Sequence, residues 1–289
     1  MCLFLVTKAH SSDFNNREKG KTMDIIIGQE IGEYRTESLV ARGTNSTIYR
    51  GTHLLMGEEV CLKRYDLDIK PAIPIGEADV LSRLQHTEIP KFRNLLSLKD
   101  DSYVVVTHFV SGSPLGQAVQ KHGNMDPEIV ASFLERMLHL LRYMHVDQRC
   151  VHGDIKPEHI LARTDHSITL VGFGVAEFSS GNWEKNRGWT DLFAPPEQVE
   201  GRPLVPQMDL YALGMSMVYL LCGGNEEQFK NGEIPDEVPD PMGRFLSRLV
   251  MKDPAKRLNW TQMDLFKEWV EIRFECFKRS TTEGKLLFL

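Results

Sequence analysis

The residues most able to do chemistry lie in one run, Cys150-Val151-His152-Gly153-Asp154-Ile155-Lys156-Pro157-Glu158-His159-Ile160-Leu161. It reads as a tight loop between a helix and a hairpin, and it presents a carboxylate and an ammonium two residues apart. Asp154 can accept a proton from an attacking hydroxyl, and Lys156 can stand beside a phosphate in transit. A second pair lies far upstream. In Val60-Cys61-Leu62-Lys63 strand alternation turns Lys63 away from the side of Leu62. A lysine ending a strand is by itself usually solvated. Glu77 changes that, because Leu81 and Leu84 follow it at helical spacing and let one helix face carry all three. His145, His152 and His159 recur along the sequence, but on a helix end and a loop, where even spacing has no metal geometry.

Several elements must hold these groups. Tyr34 to Ala41 reads as a first strand, and Ala41 to Gly51 as a β-hairpin with a polar turn. Pro71 and Pro74 keep the Glu77 helix short at its start. Tyr103 to Val110 is a buried strand bounded by Asp100-Asp101 and Gly112. Asp126 caps a long helix with Pro127 in its first turn, and Ile129, Val130, Phe133, Leu134, Met137, Leu138, Leu141 and Met144 make its apolar stripe. Residues 225–241, acidic and with three prolines, read as an irregular surface loop. A last helix from Thr261 to about Lys278 carries Leu265, Phe266, Trp269, Val270, Ile272, Phe274 and Phe277, enough apolar surface to dock on the larger lobe or on a partner.

With 289 residues, 42% of them hydrophobic and 26% charged, the chain suits a soluble globular protein of one bilobal domain or two small ones. A net charge of -6 argues against a general nucleic-acid binder. Cys2, Cys61, Cys150, Cys222 and Cys276 are scattered without a CxxC pair, which points to reduced thiols and a cytoplasmic location. The apolar Cys2 to Val6 is too short for a signal peptide or a membrane span. No membrane association is expected, and Met23 is a candidate start behind a flexible leader.

The order of these runs resembles that of the protein kinases, over roughly residues 30 to 275. The central run resembles H-R-D-x-K-x-x-N, and Gly172-Phe173-Gly174 stands where D-F-G is usual. Val60-Cys61-Leu62-Lys63 resembles V-A-I-K, with Glu77 as the glutamate that pairs with Lys63. Ala41, Gly43, Ser46 and Ile48 fall on G-x-G-x-x-G-x-V, keeping only Gly43 of its three glycines. Pro195-Pro196-Glu197 resembles A-P-E, Asp209 to Gly214 resembles D-x-Y-x-L-G, and Asp253 to Arg257 resembles D-P-x-x-R. The resemblance implies an α+β, bilobal protein-kinase-like fold. A small β-rich N-lobe would cover about 30–109 and a larger helical C-lobe about 110–275, flanked by the leader 1–29 and a tail 276–289. It also implies that Asp209 holds the loop through backbone N–H groups and that Arg257 pairs with Glu197. Antibiotic and choline phosphotransferases also use His-Gly-Asp, but without the Lys-Pro that follows or the later motifs.

By the same resemblance Asp154, Lys156 and Thr190 occupy catalytic positions. ATP would meet Gly43, Ile48, Cys61, Lys63 and Glu77, then the gatekeeper Thr107, the backbone at Phe109 and Val110, and Leu161. Two departures bear on chemistry. Gly172 replaces the metal-binding Asp and has no side-chain oxygen, and His159 replaces the metal-binding Asn with a nitrogen that Mg²⁺ binds reluctantly. Metal use would then need a nearby carboxylate such as Glu177, or a softer ion such as Mn²⁺ or Zn²⁺ at His159. Gly153 stands where an Arg often binds a phosphate on the activation segment, so control by phosphorylation of 175–190 is not implied. The expectation is a pseudokinase that holds ATP without proper metal coordination and acts on a protein partner as a regulator or scaffold. An atypical Ser/Thr kinase and an interaction module with an empty cleft remain as alternatives.

Overall fold

The alternation in Val60-Cys61-Leu62-Lys63 is realised as a strand that buries Val60 and Leu62 on one face and turns Cys61 and Lys63 to the other. The computed structural model describes residues 25, 27–165, 167–178, 188–231 and 233–277. Its chain divides into two units, one ending at Val110 and including Phe173–Ala176, the other made of Ser111–Gly172 and the chain from Glu177 onward. The architecture is α+β, with a β-rich and a helical unit. The leader up to Asp24, the tail from Lys278 and the segment 179–187 lie outside the described residues, as does Cys2.

The β-rich unit runs β1 (Glu30–Ile31), β2 (Tyr34–Arg42), β3 (Ser46–His53), β4 (Glu59–Tyr65), α1 (Ala72–Arg83), β5 (Phe92–Ser97) and β6 (Tyr103–His108). Its antiparallel sheet has the order β1-β2-β3-β4-β6-β5. The short β1 precedes the strand expected first, because Ile31 adds to a core of Tyr34, Tyr49, Val60, Leu62, Val104 and Val106. Pro71 precedes α1 directly and Pro74 sits in its first turn, where no intrahelical N–H is needed.

The helical unit follows with β7 (Ser113–Pro114), α2 (Leu115–His122), α3 (Pro127–Arg142), β8 (Cys150–Val151), β9 (Ile160–Ala162), β10 (Ile168–Leu170), β11 (Glu177–Phe178), α4 (Pro196–Val199), α5 (Pro206–Leu221), α6 (Glu226–Asn231), α7 (Asp240–Leu249) and α8 (Leu265–Cys276). Asp126 accepts the Glu128 N–H at 2.8 Å and so caps α3 as expected. α5 is buried on nearly every side. Gly214 is what lets α7 approach it, since a Cβ there would meet Leu249 and Val250 at 2.8 Å.

Two loop readings are corrected. Within 225–241 the chain forms α6, because Phe229 is buried against Phe193 and Tyr219. The last helix starts at Leu265 rather than Thr261, where Asp264 caps it by accepting the Lys267 N–H. It docks through Leu265 and Trp269, whose indole N–H donates to the Ala131 carbonyl at 3.2 Å. Val270 and Phe274 stay exposed. No described helix is long and apolar enough to cross a membrane.

Candidate functional site

In the helical unit the loop hangs on Asp209, in the first turn of α5. Its Oδ1 accepts the Gly153 N–H at 2.8 Å, and its Oδ2 accepts the His152 N–H at 2.7 Å and stands 2.8 Å from His145 Nε2. Burial works to raise the Asp209 carboxyl pKa, but the His145 contact and the donors around it hold it below the ordinary range. His145 reaches this position from a π-type turn, Tyr143–Asp147, that ends α3. Gly153 has φ +79, a conformation that suits glycine, and its carbonyl accepts from Gln198 Nε2 at 2.7 Å. A buried fork below completes the support: Arg257 donates to the Glu197 carboxylate at 2.6 and 3.3 Å.

Asp154 is thereby presented with its partners already in place. Oδ1 accepts the Thr190 hydroxyl at 2.7 Å, and Lys156 Nζ lies 3.1 Å from Oδ2 while donating to Thr190 Oγ1 at 2.8 Å. Burial opposes the carboxylate, yet His159, Lys156 and the Thr190 hydroxyl outweigh it and draw its pKa down to about 2. Such a carboxylate is ionised near neutrality and a weak base.

His159 ends the short 3₁₀ turn Pro157–His159. Its Nδ1 stands 2.8 Å from the Asp154 carbonyl oxygen, which can only accept. Nδ1 therefore carries the proton and the lone pair is on Nε2. Burial, then the Lys156 charge, push the imidazole pKa down to about 3, so the ring is neutral near pH 7. The ring packs on Gly172 (φ +87): a Cβ at that residue would meet His159 Cε1 and Nδ1 at 2.6 Å and Cδ2 at 2.8 Å. Near-equal distances to atoms on opposite sides of the ring put that point over its face. The donor set does not fit Mg²⁺ or Mn²⁺ as the family would hold them. One position has no oxygen, and the other fills the space above it with a neutral ring.

In the β-rich unit, Lys63 Nζ donates to Glu77 Oε1 at 2.8 Å. Burial acts against the lysine charge, and Glu77 more than restores it, so its pKa is raised. Directly paired residues share a sheet face, so the registers Ile48 to Lys63 and Cys61 to Thr107 put all four on the Lys63 side. Burial pushes the Cys61 thiol up to about 11. Gly43 sits in the β2–β3 turn, where its N–H donates to the Ser46 carbonyl at 2.8 Å. The His108 and Phe109 N–H groups are committed to the carbonyls of Lys91 and Glu59. Val110 closes this unit, whereas Leu161 belongs to β9 of the helical one.

Three contacts escaped the sequence. Tyr65 donates its hydroxyl to Glu77 Oε2, a link that the Lys63 to Tyr65 spacing on one strand face could have flagged. Gln198, beside Glu197, and Trp260, which donates to His145 Nδ1 at 2.9 Å, carried no signal. The recurring histidines also have more geometry than their spacing implied. His145 and the His152 backbone share Asp209 Oδ2, and the His152 and His159 rings meet edge-on at 6.1 Å.

The protein kinase domain model matches residues 34–270. Among similar proteins, serine/threonine-protein kinase F of Synechocystis sp. is 30% identical over 220 residues, covering 68% of this chain and 44% of the relative. Cytokinesis protein sepH of Emericella nidulans is 26% identical over 248 residues, covering 80% of this chain and 18% of the relative. The SNF1-related protein kinase catalytic subunit alpha KIN12 of Arabidopsis thaliana is 24% identical, covering 81% and 50%. The chain thus spans half or less of each of these relatives.

Proposed function

We propose that this chain, which belongs to the protein kinase family, is a pseudokinase that binds ATP without ordered divalent ions and works as a regulatory or scaffolding protein on a protein partner. The observation that carries this reading is the His159 ring packed on Gly172. Phosphoryl transfer depends on metal ions neutralising the phosphate oxygens, and the residues at the two positions where the family holds those ions are here packed against each other. Loss of one transition-state contact of this kind costs about 3 to 4 kcal/mol, and linked losses do not simply add. ATP would supply a triphosphate for Lys63, which Glu77 holds in place, and an adenine for the Ile48, Cys61 and Thr107 side of the sheet. The domain is proposed over 30–275, and its location as the cytoplasm, on the scattered cysteines.

A second reading, an atypical Ser/Thr protein kinase, draws on the Asp154, Lys156 and Thr190 triangle and on the names of the relatives. Thermal shift with ATP, with and without Mg²⁺ or Mn²⁺, separates the two when run beside transfer from labelled ATP to generic Ser/Thr substrates. The pseudokinase gives an ATP shift indifferent to divalent ions and no transfer. A divalent-dependent shift with transfer abolished by Asp154→Asn overturns it in favour of the enzyme. No shift at all leaves an interaction module.

A further inference from the structure

The pairing of Lys63 with Glu77 is not a two-residue contact. Cys61, Lys63 and Tyr65 alternate onto one face of β4, and α1 lies on that face with Glu77 buried at 3% exposure. Glu77 Oε1 takes the Lys63 ammonium, and Oε2 takes the Tyr65 hydroxyl. Lys63 Nζ in turn lies 4.9 Å from the centre of the Tyr65 ring, so one aromatic side chain touches both members of the ion pair. The Phe173–Val175 turn packs on α1 next to them. Gly174 permits this closeness, since a Cβ there would stand 3.2 Å from the Tyr65 hydroxyl and 3.6 Å from Lys63 Nζ.

We infer that Tyr65 is a positioning residue that locks Glu77, and through it α1, onto β4 in the absence of any ligand. The Lys63 ammonium engages only one of the two Glu77 oxygens, so the ion pair alone would leave the other buried without a donor. A charge-assisted bond from a buried hydroxyl adds a second, fixed tether on the other carboxylate oxygen. With both oxygens satisfied inside the unit, α1 has no need of a nucleotide to take its place, and swinging it away would strand a buried hydroxyl. The inference concerns the β-rich unit alone and holds whether or not the protein transfers phosphate.

The competing account is that Glu77 merely satisfies a buried tyrosine. Hydrogen exchange on the full chain distinguishes them. In Tyr65→Phe, which keeps the ring, the α1 amides should exchange faster by on the order of ten- to hundredfold, while those of β3, β6 and α5 stay unchanged. Gly174→Ala, which crowds the hydroxyl, should loosen α1 in the unaltered background and add nothing in Tyr65→Phe. A uniform rise across the β-rich unit in Tyr65→Phe, or a Gly174→Ala effect that persists without the hydroxyl, overturns the inference. So does unchanged α1 exchange in both variants.

Discussion

Trp260 donates its indole N–H to His145 Nδ1 at 2.9 Å, and this contact chooses the imidazole tautomer. Because the indole can only donate, Nδ1 accepts, and the neutral ring carries its proton on Nε2, aimed at Asp209 Oδ2. Every group facing Asp209 in this contact set is therefore a donor: the His145 ring and the backbone N–H groups of His152 and Gly153.

Asp209→Asn should cost about 3 to 5 kcal/mol, because a carboxamide must turn an N–H toward a donor in a buried site. Trp260→Phe releases the tautomer choice and should cost only about 1 kcal/mol. Urea denaturation reads both. Equal losses would mean that the indole does more than select a tautomer.

The Arg257 and Glu197 fork is fully buried, with Arg257 at 0% and Glu197 at 4% exposure. Arg257→Met alone strands a carboxylate and should cost about 3 to 5 kcal/mol. Glu197→Leu combined with Arg257→Met should recover most of that, since neither charge is then left unpaired. A double variant as unstable as the single would show that the other Arg257 contacts, to the carbonyls of Met251 and Gln207, dominate.

His159 titrates near 3 in the folded chain against an ordinary 6.5. The unfolded state therefore binds the extra proton between those values, and stability falls as pH drops from about 6.5 toward 3. Above 6.5 the contribution is complete. His152, also lowered by burial, acts in the same direction. Asp154, at about 2 against 3.8, adds its own loss as pH falls from about 3.8 toward 2, which overlaps only the acid end of that window. Unfolding free energy followed from pH 7 to pH 4.5 should lose slope in His159→Asn, by up to about 1.4 kcal/mol per pH unit. An unchanged slope would place the titration elsewhere.

Cys61, raised to about 11 from 9.0, holds on the order of a hundredfold less thiolate than an ordinary cysteine at pH 8. Iodoacetamide labelling mapped by peptide should leave Cys61 nearly untouched in the native protein and modify it on unfolding. Rapid native labelling would contradict the burial that raises it.

The sequence by itself determined the fold and the chemistry at stake. The Lys63 alternation and the Asp126 cap depend on local periodicity and residue type, which a single chain displays openly, and the ordered motifs from Gly43 to Arg257 carry the resemblance to the protein kinases. Through the resemblance to the protein kinases it also named Gly172 and His159 as the two positions without an oxygen donor. Tertiary structure alone decided how those absences are filled. Residues far apart in sequence have no common period, so the packing of His159 on Gly172 and the Trp260 tautomer lock became visible only when folding brought them together. The irregular reading of 225–241 failed for the same reason. Phe229 forms part of a helix because Phe193 and Tyr219 wait for it, and nothing within that acidic stretch announces them.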